Sequence, residues 1–173
     1  MKSEKILFFY NSENSRINGK NGIELTFWAP SLSQIKPILF PYRPYIFWYI
    51  FNYFGIFTSR DYRVVYLKNS FEILHRTIIF PKFFRFPFMN KNDLQVGDIL
   101  TKESLRGKGV ASQVLSEILS SYKTKSFWFL CDENNISSVL IAHKNNFKLV
   151  GYGHKVTPLG LNIFSYYKLV KKY

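Results

Sequence analysis

The chain has 173 residues, 47% of them hydrophobic, and its 24 Lys and Arg against 11 Asp and Glu give a formal charge of +13. That length and apolar content suit one domain over residues 1–173 with a core of its own, so no disulfide or metal staple is required for folding. The single cysteine, Cys131, excludes an internal disulfide framework and a multi-thiolate metal site.

Cys131 sits in the apolar run Phe127–Cys131, which reads as a buried structural thiol in a reducing, cytoplasmic setting. The positive charge implies attraction to something anionic: nucleic acid, acidic lipid or a phosphorylated small molecule. The cations are dispersed, without a block of five or six like charges, which argues against a nucleic-acid arm.

In chain order, Ile6–Tyr10 is apolar but too short for a signal-peptide core. Pro30, Pro37, Pro41 and Pro44 cut the next stretch into short pieces, because proline blocks helix interiors and biases its predecessor to extended geometry. The run Tyr45–Phe57 is apolar all round and falls short of the roughly 20 residues a membrane-spanning helix needs. It reads as a buried helix, with a membrane-surface helix as the alternative. Tyr62–Leu67 and Phe71–Phe80 read as a hairpin around Lys68–Ser70. Pro81–Asn92 reads as a loop, and Asp93–Thr101 as a strand in which Gly97 marks a bulge or close approach. Val110, Ala111, Val114, Leu115, Ile118 and Leu119 recur at helical spacing, giving a helix to about Ser121. Ser126–Asp132 reads as a strand, Ile136–Asn145 as a helix with Asn146 left-handed after it, and Lys148–Val156 and Asn162–Val170 as a closing strand pair. The alternation over Asp93–Val156 implies an α/β fold with a mixed sheet and crossover helices.

The sharpest feature is Leu105–Ala111, Leu-Arg-Gly-Lys-Gly-Val-Ala, between a strand and an amphipathic helix. Two glycines allow a tight turn whose N–H groups approach an anion, and the positive end of the following helix favours phosphate. It is neither a Walker A loop nor a dinucleotide fingerprint.

Arg106-Gly107-Lys108-Gly109-Val110-Ala111 resembles the Arg/Gln-x-x-Gly-x-Gly/Ala acyl-CoA motif of the GNAT N-acetyltransferase superfamily. Asp132–Ser138 followed by Lys144–Gly151 is similar to that superfamily's Asn-x-x-Ser helix and Lys-x-Gly-Phe-x-x-Val-Gly segment. The segment Phe86–Asp98 resembles members associated with bacterial surface-polysaccharide and amino-sugar biosynthesis. The resemblance implies a central, mostly antiparallel sheet of about six or seven strands with a splayed parallel pair, flanked by helices. It implies acetyl-CoA or another acyl-CoA as co-substrate, no metal, and an amine acceptor. The acceptor indicated is a nucleotide-linked amino sugar rather than nucleic acid; a homodimer and peripheral membrane contact also fit. Ile99, Leu100 and Thr101 would pair with the pantetheine arm and supply an N–H to the thioester oxygen. Arg106, Gly107, Lys108, Gly109, Val110 and Ala111 would hold the pyrophosphate, Asn135 would bond the pantetheine, and Ser138 would follow one turn on. Where many relatives carry a general-acid tyrosine this chain has Ala142, and where some carry a glutamate base it has Gln95.

The catalytic candidates are therefore His75, Asp93 and Asp98. Strict alternation puts Asp93, Gln95 and Gly97 on one face of the strand and Leu94, Val96 and Asp98 on the other. His75, with an unperturbed pKa near 6.5, shares a face with Phe71, Ile73, Thr77 and Ile79; each candidate has an equally plain reading as a structural residue. His143 and His154 are weaker candidates. A protein or small-amine acetyltransferase and a non-catalytic acyl-CoA-binding domain remain the alternatives, the latter favoured by Ala142 and Gln95.

Overall fold

The computed structural model describes residues 5–12 and 24–172. Segments rich in β-branched and aromatic residues form the strands: β1 (Ile6–Asn11), β2 (Thr26–Trp28), β3 (Arg63–Lys68), β4 (Ile73–Pro81), β5 (Leu94–Thr101), β6 (Phe127–Asp132), β7 (Lys148–Val156) and β8 (Tyr166–Lys172). The helices are α1 (Tyr42–Tyr53), α2 (Val110–Ser121) and α3 (Ile136–Lys144). The strands make one mixed sheet in the order β2-β3-β4-β5-β6-β1-β7-β8. Every neighbouring pair is antiparallel except β5 and β6.

The described sheet has eight strands rather than six or seven. The added members are β1, slotted between β6 and β7, and the three-residue β2 at one edge. The last strand begins at Tyr166, because Asn162–Phe164 winds into a short 3₁₀ turn.

Two cores lie on opposite faces of the sheet. One joins Phe9, Ile79, Leu94 and Val96 to Val114, Leu115 and Ile118 of α2 and Ala142 of α3. The other joins Phe8, Val64, Ile78 and Phe80 to Tyr45 of α1 and to Phe83, Phe86 and Met89 of the β4–β5 loop. Trp48 is packed against this second core, its ring 4.9 Å from that of Phe80.

α1 corrects one expectation. Its Tyr45 is buried, but Phe47, Tyr53 and Phe54 are exposed, so the apolar run forms a helix covered on one side only. Two irregularities shift faces. Between β3 and β4 the register slips at Leu67/Lys68, so Ile73 packs on the aromatic core while His75, Thr77 and Ile79 keep to the other side. Between β4 and β5 the register passes from Arg76↔Leu100 to Ile78↔Gly97, which leaves Asp98 and Ile99 opposite Thr77 alone. That bulge is one residue past Gly97, and Asp98 adopts φ +48° within it.

Candidate functional site

The parallel pairing of β5 with β6 covers only Leu94↔Phe127 to Val96↔Phe129. Beyond it the strands part, and the far half of β5 is bonded only to β4. Lys102 N–H donates to Leu74 O at 2.9 Å, so alternation turns the Thr101 N–H and C=O toward the open side. A strand edge without a partner strand, of this kind, can accept an extended ligand as an added strand, although here Arg106 Nε already occupies Thr101 O.

Both helices that follow the parallel pair begin at the mouth of this wedge. α2 starts after Gly107 and Gly109, at φ +75° and +80°. A Cβ on either would meet nothing within 4 Å, so conformation demands glycine here and the space in front is open. Gly109 is the N-cap and provides no side-chain cap, so the N–H groups of Val110 and Ala111 in the first turn lack intrahelical acceptors. Arg106 and Lys108 are exposed beside them, and Arg106 Nε holds Thr101 O at 3.2 Å, tying the loop to the end of β5. Four features that favour negative charge thus meet at one place: two left-handed glycines, free N–H groups, the helix dipole and two cations.

α3 begins at the end of β6. Asn135 caps it, with Oδ1 accepting from Ser138 N–H at 3.1 Å. Ile99 is partly buried against the aliphatic core and Leu100 is exposed on the opposite face. Ala142 is fully buried beneath α3, so this position presents no hydroxyl to the wedge.

The three catalytic candidates stand in different surroundings. His75 is buried, with Nδ1 2.8 Å from Thr101 Oγ1 and Nε2 2.9 Å from Thr77 Oγ1. Burial pushes its pKa down to about 4, so the ring is neutral at pH 7. Asp93 is also buried; its Oδ2 accepts from Trp128 Nε1 and from Asn90 N–H, both at 2.9 Å. Asp98 is exposed on the bulge and paired with Arg76 at 2.8 Å. The bulge breaks strict alternation, so Asp98 lies with Gln95 and Gly97 on the aromatic face and not with Val96.

On that face a cavity of about 370 Å³ is lined by Leu39, Phe40 and Pro41 ahead of α1, by Glu72, Leu74 and Arg76 of the hairpin, and by Leu100, Lys102, Glu103 and Arg106. The Arg76–Asp98 pair therefore connects the cavity wall to the bulge. Tyr45 lies beneath it, its phenol pushed up to about 12 by burial. Arg76 and this cavity went unmarked in the sequence, because nothing in the local pattern around Arg76 distinguishes it from any other strand cation. Asn145 was equally silent: buried, it bonds Ser112 Oγ at 2.9 Å and Ile141 O at 2.8 Å and receives Asn11 Nδ2 on its carbonyl at 3.0 Å. It fastens α2, α3 and β1 together behind the site. Among the described residues no group of three or more His, Cys, Asp or Glu could hold a metal ion.

No family model and no curated protein matches the sequence. Solved structures do match the fold. An acetyltransferase of the GNAT family from Colwellia psychrerythraea superposes with TM-score 0.53 at 14% identity, over 86% of this chain and 53% of that one. A GCN5-related N-acetyltransferase from Sphaerobacter thermophilus gives 0.52 at 13% identity, over 85% and 49%. A functionally unknown conserved protein from Staphylococcus epidermidis gives 0.55 at 8% identity, over 87% and 60%. The chain thus spans about half to three-fifths of the length of these structures. It has the fold of GNAT acetyltransferases: a mixed sheet with one parallel pair, flanked by helices.

Proposed function

We propose that this protein transfers an acetyl or other short acyl group from acyl-CoA to a primary amine. The observation that carries the reading is the Arg106–Ala111 loop, open-faced and cationic at the start of α2, set beside the unpaired edge of β5. A diphosphate joined to an extended, amide-bearing arm fits that pair of features: the diphosphate at the helix end, the arm along the strand. Asn135 and Ser138, at the start of α3, would face the same arm from the β6 side.

The acyl carbonyl would then lie near the bulge, where an N–H of Ile99–Thr101 donates to the oxygen that becomes negative in the tetrahedral intermediate. The amine nitrogen attacks the thioester carbon, the C–N bond forms, and the C–S bond breaks. The nitrogen gives up a proton, and the departing thiolate takes one from solvent, since position 142 holds no hydroxyl. Of the three candidates, Asp98 alone is exposed on the acceptor side of β5, where Arg76 holds it in place, and it is the one positioned to receive the proton. His75 and Asp93 serve as positioning residues, the first holding Thr101 and the second holding Trp128.

The acceptor belongs in the cavity beside Arg76. Its walls carry both signs of charge, Glu72 and Glu103 against Arg76, Lys102 and Arg106, which suits an amine that also bears phosphate. A nucleotide-linked amino sugar meets that description and agrees with the chain's positive charge. Acyl-CoA consumption measured against nucleotide amino sugars, amino acids and peptides tests the assignment. Turnover with the first class supports it, turnover with peptides alone moves the acceptor to protein, and acyl-CoA binding without any turnover reduces the protein to a binding domain.

A further inference from the structure

Apolar side chains on a folded surface are ordinary when scattered, but a contiguous set marks an interaction site. On α1, Ile46, Phe47, Ile50 and Tyr53 are exposed, as is Phe54 at its C-cap, the last at 72%. At 100° per residue these five fall within about 120° of the helix circumference. The opposite side buries Tyr45 and packs Trp48 and Phe51 on the core. No charged residue occurs from Pro44 to Ser59.

Two loops extend this stripe. In the β4–β5 loop, Phe84 is exposed and its ring lies 6.1 Å from that of Phe51. Arg85, next in sequence, donates to Ser165 O and Asn162 O, both at 3.3 Å, and its own carbonyl accepts from Tyr167 N–H at 2.9 Å. That joins the β7–β8 loop, where Leu159 is 94% exposed and Phe164 56%. Three exposed apolar segments are therefore linked side by side.

The charges single out the occupant. Residues 25–60, 81–92 and 134–173, which hold all three segments, contain no Asp or Glu. They do contain exposed cations: Arg60, Lys91 and Lys155. Thr58, just after the stripe, donates to Lys82 O and Lys91 O, each at 2.9 Å, which sets Lys91 beside the stripe. A second copy of this chain on the same patch would set these cations against one another, since none of the three segments carries an acid to pair with them. An anionic bilayer satisfies both components, with aromatics in the headgroup region and cations over the phosphates.

We propose that the patch formed by α1, the β4–β5 loop and the β7–β8 loop docks on an anionic lipid surface. α1, with 12 residues, lies along the interface rather than crossing it. The inference is independent of acyl transfer, because docking needs no acyl-CoA.

Flotation of the full chain with vesicles tests it. Vesicles of phosphatidylcholine containing about one-third phosphatidylglycerol should retain at least about tenfold more protein than phosphatidylcholine alone, with the difference shrinking as salt rises. Phe47→Ser with Phe54→Ser should lower the bound fraction about tenfold or more. Lys91→Glu should lower it about fivefold or more, at unchanged circular dichroism and thermal transition. Because these side chains are exposed, folding should survive. Equal retention on both vesicle types, or retention unaltered by the double substitution, would overturn the proposal. So would light scattering that shows a dimer which the same double substitution converts to monomer while the protein stays off lipid.

Discussion

The two sides of the sheet are built from different materials. Beneath α2 and α3 the core is largely aliphatic, with Val114, Leu115 and Ile118 at regular helical spacing over Leu94 and Val96. Beneath α1 it is a lattice of rings, in which Trp48 alone lies within 6.3 Å of Phe51, Phe57, Tyr62, Phe80 and Phe83. The aliphatic side has the task of presenting backbone: two helix starts, a glycine loop and a strand edge, all set by regular elements. The aromatic side has the task of shaping a cavity and a surface from loops, and large flat side chains brace irregular chain where repetitive hydrogen bonding is absent. On the proposed function, ligand recognition by backbone and by side chain falls to opposite faces of one sheet.

The comparison predicts that damage on one side should not spread to the other. Trp48→Ala should remove up to about 3 kcal/mol of stability in a denaturant titration, less than truncation of a fully buried aromatic because Trp48 is partly exposed. The folded fraction should nevertheless bind acyl-CoA within about twofold of the parent, and a larger change in affinity would mean that the two sides are coupled.

His75 is buried on the α2 and α3 side of β4, and its effect depends on pH. Its folded pKa of about 4 is below the ordinary 6.5, so the unfolded chain binds the extra proton. Stability is therefore unaffected above about pH 6.5 and is lost as pH falls from there to about 4, by on the order of 3 kcal/mol. His75→Asn should show a flatter melting temperature over that window. An unchanged slope would remove the buried ring from the account.

Asp98→Asn should lower kcat by about 10- to 100-fold with acyl-CoA affinity nearly intact, and the loss should shrink at high pH as the amine deprotonates unaided. Asp93→Asn at equal stability should leave kcat within a few-fold, which separates the exposed carboxylate from the buried one. The smallest effect belongs to Asn135→Ala, about 1 kcal/mol of stability through the lost N-cap of α3.

Legibility in the sequence followed the same division. The loop Arg106–Ala111, the helix after it, and the strand and helix beyond could be read from glycine placement and 3.6-residue spacing, because regular elements impose periods on their residues. Asn146 could be anticipated as left-handed, and it has φ +58°. The aromatic side resisted, since a run such as Tyr45–Phe57 carries no polar punctuation to say which face is covered. Alternation also failed at Asp98, where one bulge residue moved a carboxylate through the sheet, and β5's spacing records nothing of its partner strand. The membership of β1 in the sheet centre, between β6 and β7, is a long-range pairing that no local pattern announces.

On the proposed function the Gly107–Ala111 turn is an anion cradle for acyl-CoA. Calorimetric titration of acetyl-CoA into the parent and into Arg106→Ala and Gly109→Val tests it most directly, with circular dichroism confirming that each variant is folded. Arg106→Ala removes a charged donor and should weaken binding by about tenfold or more. Gly109→Val forces a β-branched residue toward φ +80° and should weaken it further, by about 100-fold. Folded variants that bind acetyl-CoA as tightly as the parent would contradict the claim.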